Sequence, residues 1–571
     1  MKMIKIPFVF SFVTAATAGT VTVTPTGRYM AVPVENGAPK VFMEVFDGGK
    51  RVTYNYVEWA HGTTNWTGSL DLRGLEGRTL EFRFSGETLP DLSAADLKFA
   101  DARFPAPNGQ FDEPLRPQLH FTPPLGWAND PNGLSYRDGE WHLFYQHNPF
   151  GIKWDNMHWG HAVSKDLVHW QDVGYVLAPD ETGTMYSGSA VVDHANTAGF
   201  GAGAHVLIYT AAGDHNKTDP HPRTQRIAWS LDGRNYVKWP DAAVEGRSDA
   251  NRDPKVVWYA PGKHWVMAVY GDVEKRRHGV SLFTSKNLKY WTFASHVPGD
   301  LFDEGRYLYE CPDFFEMPVE GEKGSRWVLT AANRQYAIGS FDGRTFKPEA
   351  ERLSCINQIG PLRAIYAWQT FSDAPDRRRI QMAYFAYETT SGNPGYIKER
   401  AGSMPYMFNR GMTLPAELKL VRTADGLRLA RFPAKELQTL RDGDATCLAD
   451  FDGELAEVEF SCVPTADDTL VTLDLRGVKM EYSALRHTLA VNGQSTAWNL
   501  DAKGCLGLRI FVDRLGMEIF SLDGLQYTPL CDVAPDPANR KLSWSVGDTK
   551  RKEKPVRDVT ERAWRLTSAV K

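Results

Sequence analysis

The sequence predicts an all-β protein: a five-bladed β-propeller preceded by one β-sandwich and followed by another. Three observations carry this expectation. Both ends of the chain read as short runs of alternating apolar and polar residues divided by Asp-Gly and Gly-rich turns, the period of strands rather than of helices. In the middle, a Ser-x-Asp/Asn turn followed by an aromatic residue recurs from Ser164, Ser230, Ser285 and Ser340, at spacings of 66, 55 and 55 residues. A repeat of that length, filled with short strands, is what propeller blades require, and the stretch before Asn409 leaves room for a fifth. Aromatic residues make up 12% of the chain without long apolar runs, which suits sheets that stack on flat apolar faces such as sugar rings.

The elements follow in order. Residues 1–18 combine Lys2 and Lys5, an apolar stretch from Ile6 to Val13 and the small pair Ala16 and Ala18, the pattern of an export signal peptide cut after Ala18. The expected location is therefore periplasmic, cell-surface or secreted. Residues 19–103 are expected as the N-terminal accessory sandwich, with Trp59 and Trp66 in its core rather than binding sugar alongside His61. Prolines at 105, 107, 114 and 117 mark 104–118 as a linker. The propeller is assigned to 119–410, a connector to 411–441 and the second sandwich to 442–571, whose expected role is to pack against the propeller. Within it, the charge run KRKEKPVRDVTER reads as a solvated face.

Composition excludes several classes. A net charge of −5 with no basic stripe leaves no footprint for nucleic acid, and no segment beyond the start is long and apolar enough to span a bilayer. Six cysteines, none in a CxxC pair, are too sparse for a disulfide framework, although Cys447, Cys462, Cys505 and Cys531 could pair after export. His205, His215 and His221 lack metal-ligand spacing and read as loop residues. With no Gly-rich phosphate loop and no GxSxG elbow, neither metal nor cofactor is expected.

Three acids carry the chemistry. Asp130, in Asn129-Asp130-Pro131-Asn132-Gly133, lies 34 residues before Ser164; Asp253 lies 32 before Ser285 and Glu310 lies 30 before Ser340. An aspartate in such a segment is ordinarily a turn residue. Equal phase in a radial repeat, however, means an equal place in each blade, so the acids would meet at the central channel, with Ser187 from the second repeat beside them. Crowded carboxylates raise each other's pKa and cost stability, and Arg252 is the only obvious cation beside them. Retaining cleavage of a glycosidic bond supplies a reason to group them, because it needs two carboxyls on opposite sides of the anomeric carbon. Asp130 is the expected nucleophile, kept ionised by the amides of a tight turn and by Asn129. Glu310 is the expected general acid/base, its pKa raised by bulky apolar neighbours and by the charge of Asp130, and Asp253 the holder of sugar hydroxyls.

From about 115 to 540 the sequence resembles the invertase, inulinase and levanase family, glycoside hydrolase family 32. The matching stretches are HFTPPLGWANDPNG, LFYQHNPFG, HWGHAVSKDLVHW, YSGSAVV, RDPKV, YECPDFF, MTLPAEL and LRIFVDRLGMEIFSLDG. The resemblance implies a five-bladed propeller followed by a sandwich, with Asp130 as nucleophile, Asp253 as transition-state stabiliser and Glu310 as acid/base. It also implies that Asn129, Gln146, Trp154, Ser187 and Arg252 line the pocket for a terminal fructosyl unit. Ala128 stands where the family usually has Met and Tyr186 where it has Phe, which is expected to reshape the rim of the pocket. The stretch MAYFAYETTSGNPGYIKERAGSMPYMFNRG lacks the tryptophans often found before MTLPAEL. The expected function is an exported, retaining, exo-acting β-fructosidase working on a fructan, levan or inulin, and on sucrose. A fructosyltransferase using the same triad and a non-catalytic fructan-binding propeller are the alternatives.

Overall fold

Alternation builds the N-terminal module directly. In Tyr29–Val34 every second residue, Met30, Val32 and Val34, points inward, and Lys40–Asp47 does the same with Val41, Met43 and Val45. In this computed structural model, which describes residues 17–570 apart from 108–110, 214–222, 247–249, 273–277, 300–307, 350–352, 355–364, 387–405, 532 and 548–554, these strands belong to two facing sheets. One holds Thr17–Val23, Leu80–Gly86, Lys40–Asp47 and Lys50–Glu58; the other holds Trp66–Asp71, Tyr29–Val34 and Phe99–Ala100. Trp59 and Trp66 lie buried between them. The same core takes in Phe150 and Ile152 from beyond the linker, so the module packs on its neighbour. The stretch read as a linker is anchored too, because fully buried Arg116 pairs with Glu113 at 2.7 Å and faces the Phe408 ring.

Five antiparallel sheets follow. The first contains Gly126–Arg137, Glu140–Asn148, His158–Ser164 and Gln171–Leu177; the second Thr184–Asp193, Ala204–Ala212, Thr224–Ser230 and Val237–Lys238. The third contains Arg252–Tyr259, His264–Asp272, His278–Ser285 and Thr292–Pro298; the fourth Asp313–Pro318, Ser325–Thr330, Gln335–Phe341 and Phe346–Pro348. Ile365–Thr370, Ile380–Phe385, Ala416–Thr423 and Gly426–Pro433 form the fifth. The first strand of each sheet touches the first strand of the next, and that of the fifth returns to that of the first, a curl that fits a propeller. Phe408–Asn409 closes the ring by running parallel to Gly126–Trp127.

The recurring serines end or nearly end the third strand of sheets one to four. Ser164 donates to Asp166 at 3.0 Å, Ser230 to Asp232 at 2.7 Å and Ser285 to Asn287 at 3.3 Å, each bond closing the turn into the outer strand. Two expectations need correction here. Residues 411–441 are not a connector, since 416–433 supply the two outer strands of the fifth sheet, a hairpin hidden because it lacks the serine motif. His205 is no loop residue either: it is buried on Ala204–Ala212, bonded to Ser135 at 2.8 Å and Tyr236 at 2.7 Å. The expected signal peptide up to position 16, together with His215, His221 and positions 387–405 of the tryptophan-poor stretch, lies outside the described residues.

The remainder forms a six-stranded and a five-stranded sheet around one core that includes Phe460, Leu473, Trp498 and Ile510. The charge run contributes to a central strand, Val556–Leu566, whose first half faces solvent. Cys311, Cys447, Cys462, Cys505 and Cys531 are free thiols. Among the described residues the helical segments are short 3-10 turns at Pro375–Arg377, Lys435–Leu440 and Leu448–Asp450, and no helix is long and apolar enough to cross a membrane.

Candidate active site

The inner strands break register at corresponding places: between Ala128 and Pro131, Tyr186 and Gly188, Arg252 and Lys255, and Tyr366 and Gln369. A β-bulge turns an extra residue out of the ladder and re-aims its side chain. The residues released are Asn129 and Asp130, then Ser187, then Asp253 with Pro254, then Ala367 with Trp368. The expected turn at Asn129–Gly133 is therefore a bulged segment inside Gly126–Arg137. Pro131 resumes the register opposite Tyr145 directly after the bulge, and Gly133 supplies φ +52 where a β-carbon would sit 2.7 Å from the Phe144 ring. Glu310 precedes the fourth inner strand and, like Asp253 and Cys311, takes a left-handed backbone, with φ +57, +62 and +39 respectively. Such strain in residues with a β-carbon is held in place by the surrounding sheets.

All eight residues singled out in the sequence, Asn129, Asp130, Gln146, Trp154, Ser187, Arg252, Asp253 and Glu310, line one cavity of about 520 Å³. Asp130 accepts from Asn129 Nδ2 at 2.9 Å, from Ser187 Oγ at 2.6 Å and from Cys311 Sγ at 3.5 Å. Asp253 accepts from the Cys311 backbone N–H at 3.1 Å, while its own N–H donates to Thr210 Oγ1 at 3.0 Å. Glu310 accepts from Arg252 Nη2 and from the Tyr366 hydroxyl, both at 2.6 Å. Gln146 donates to Met185 O at 2.9 Å, and its Oε1 has no hydrogen-bond partner among the described residues. Trp154, 48% exposed, stands at the rim. Ala128 is buried in the core of the first sheet, so the departure there does not reshape the rim, whereas Tyr186 lines the cavity beneath the Arg223 guanidinium.

The electrostatics differ from expectation. Burial pushes Asp130 up to about 7, with the charges of Asp253 and Glu310 adding to the effect and the Ser187 and Cys311 bonds opposing it. Burial and Glu310 also raise Asp253, against the pull of Arg252. Donors around Asp130 are present as expected, yet desolvation and like charge outweigh them. Glu310 meets a guanidinium and a phenol instead of an apolar wall. Arg252 stays firmly charged: burial works against it, but Asp253 and Glu310 hold it above its ordinary value. The Cys311 thiol, raised by burial and by Asp253, remains protonated and donates to both Asp130 and Asp253. No group of three or more His, Cys, Asp or Glu side chains that could hold a metal ion occurs among the described residues.

Residues 120–432 match the model of the glycosyl hydrolases family 32 N-terminal domain. The chain belongs to glycoside hydrolase family 32. It is thus a glycoside hydrolase. It is 38% identical over 494 residues to a levanase of Bacillus subtilis (strain 168), covering 76% of this chain and 69% of that one. With an extracellular exo-inulinase of Aspergillus awamori it shares 35% over 521 residues, 77% of this chain and 94% of the other. The crystal structure of an exo-inulinase from Aspergillus awamori superposes with a TM-score of 0.66 over 80% of this chain and 99% of that one, at 24% identity, and so supports the fold.

Several residues of this family 32 cavity were not legible in the sequence. Tyr366, Tyr384 and Arg410 come from the fifth sheet and its closing segment, where no repeat motif points inward. Arg223 follows the segment 214–222; Thr210, on the second strand of its sheet, lies behind the cavity lining and accepts from the Asp253 N–H. Cys311 was adjacent to Glu310 throughout; only its left-handed backbone, unreadable from sequence, turns its thiol toward Asp130 and Asp253. Arg223, Arg252 and Arg410 all line the cavity, so Arg252 is not the sole cation near the acids.

Proposed function

We propose that this protein is an exported, retaining, exo-acting β-fructosidase that releases terminal fructosyl units from a fructan, levan or inulin, and from sucrose. The meeting of Asp130, Asp253 and Glu310 with Arg252 in one cavity carries the reading. Its volume, about 520 Å³, lies within the range of about 300–1,000 Å³ that small-molecule sites occupy. Likeness to a levanase and to an extracellular exo-inulinase favours a fructan as substrate and export as destination. The five sheets are read as the blades of a five-bladed propeller, and the paired sheets on either side as accessory and C-terminal sandwiches. The export signal is read in residues 1–18 and the blades in about 119–433.

In this mechanism Asp130 attacks the anomeric carbon as Glu310 protonates the departing oxygen, leaving a fructosyl ester on Asp130. Glu310 then takes a proton from water, whose oxygen attacks the same carbon and frees Asp130. Asp253, held by the Cys311 N–H, bonds sugar hydroxyls most strongly as positive charge develops. Gln146 Oε1 offers an acceptor to a further hydroxyl.

The test is product analysis by chromatography after incubation with sucrose, inulin and levan separately, with Asp130→Asn as the blank. Fructose alone from a polymer supports exo-hydrolysis and identifies the linkage. Oligosaccharides would mean endo-cleavage or transfer to sugar, and silence on all three would favour a binding module.

A further inference from the structure

Arg410 enters the cavity from the joint that closes the ring. Phe408–Asn409 runs parallel to Gly126–Trp127, and Gly411–Met412 pairs with Phe385 and Tyr384, so Arg410 is pinned between the first and fifth sheets. Its backbone is left-handed, φ +67, which a β-carbon makes costly. The guanidinium lies 5.4 Å from the centre of the Trp127 ring and 5.2 Å from that of Tyr384, and its Nη1 donates to Asn129 Oδ1. Asn129 Nδ2 in turn donates to Asp130 Oδ1 at 2.9 Å.

A carboxamide carries an acceptor at one end and two donors at the other on a nearly symmetric frame, so the partner at one end decides what the other end offers. A guanidinium has donors only. With Arg410 on Oδ1, Asn129 can present nothing but N–H to Asp130. Without Arg410 the amide could turn and set its carbonyl against the carboxylate.

We propose that Arg410 is a positioning residue for the nucleophile: by holding Asn129 Oδ1 it keeps an N–H on Asp130 and fixes the aim of that carboxylate. This role presupposes Asp130 as the nucleophile. The Trp127 and Tyr384 rings confine the guanidinium, and the joint between the last and first sheets thereby sets the geometry of the reacting group.

The experiment is a double-mutant cycle in the full chain, with Arg410→Gly, Asn129→Ala and the pair, measured as kcat and KM on sucrose and on the polymer that is cleaved. Glycine suits a left-handed position, so Arg410→Gly removes the side chain without adding backbone strain. Each single change is expected to lower kcat about 10- to 100-fold with KM within about threefold, the signature of a misaimed group rather than lost substrate binding. The double variant is expected within about threefold of Asn129→Ala alone, because both changes break one chain of contacts. The acid limb of the kcat/KM profile should move to higher pH in both singles, since the carboxylate has lost a donor. Arg410→Lys should recover part of kcat because an ammonium still donates. If Arg410→Gly does not fold, Arg410→Met, which keeps the stem between the rings and lacks the donors, takes its place in the cycle. Multiplicative losses, a loss confined to KM, or unchanged kcat in Arg410→Gly would each overturn the proposal. Turnover by Asp130→Asn would instead remove the mechanism beneath it.

Discussion

Asp130 shows how one environment sets both reactivity and stability. As the proposed nucleophile, Asp130 must be ionised, and burial holds it near 7, so kcat/KM of the native chain should fall as pH drops below about 7. Ser187→Ala removes the 2.6 Å bond that steadies the ionised form, and should shift this limb upward by about one pH unit in a pH–rate series. Asp130→Asn and Glu310→Gln are each expected to reduce turnover by at least about 10³-fold while circular dichroism stays unchanged. Stability has the opposite sign. The folded pKa of Asp130 lies above the unfolded value of about 3.9, so the folded chain holds a proton that the unfolded chain releases, and stability falls as pH rises from about 4 to about 7. Asp130→Asn carries no such charge. It should be more stable than the native chain at pH 8, by on the order of 2 kcal/mol, and little different at pH 4; a denaturant series at the two pH values decides this.

The bulged inner strand is the element that turns a sheet into a site. Register shifts in the first, second and third sheets free Asn129 and Asp130, Ser187 and Asp253 toward the cavity, whereas the fifth sheet's bulge sends Trp368 against Tyr527 instead, and the flanking ladder keeps each bulge from relaxing. In the second sheet the bulge depends on Gly188, where a β-carbon would meet Ile208 O at 2.0 Å and Tyr209 Cα at 2.8 Å. Both contacts are backbone, so the strand itself would have to move. Gly188→Ala should cost at least about 2 kcal/mol and draw Ser187 away from Asp130, lowering both the melting temperature and kcat. Gly62→Ala, with open space around it, serves as the control and should change neither.

The modules are joined by a buried charge cluster. His120, at the start of the five sheets, donates toward Asp513 Oδ2 at 2.7 Å and Glu518 Oε1 at 3.2 Å, all three side chains being fully buried. The backbone N–H groups of Gln118 and Leu119 also reach Asp513, and those of Leu414 and the Tyr527 hydroxyl reach Glu518. Burial alone would lower the His120 pKa, but its bonds to the two carboxylates raise it to about 9. The folded value exceeds the unfolded one of about 6.5, so the stabilisation is fully present below about 6.5 and is lost as pH rises through about 9. The urea midpoint of the native chain should fall over that window. His120→Asn should cost about 3–5 kcal/mol at pH 6, where the two acids lose their cation, and the gap to the native chain should narrow above pH 9. A gap that is constant with pH would show that His120 serves the joint by shape alone.

The sequence by itself determined the strands and the shared phase of Asp130, Asp253 and Glu310, and hence which acids could meet, because alternation and repeat period are local patterns that survive in one dimension. It did not reveal the hairpin at 416–433 or the inward reach of Tyr366 and Arg410, since the fifth sheet is assembled from distant segments without the serine motif. Only the tertiary structure decided the charges. Whether Asp130 is raised or lowered depends on burial and on the distances to Asp253, Glu310 and Ser187, which lie 57 to 180 residues away along the chain and become neighbours only when the ring closes.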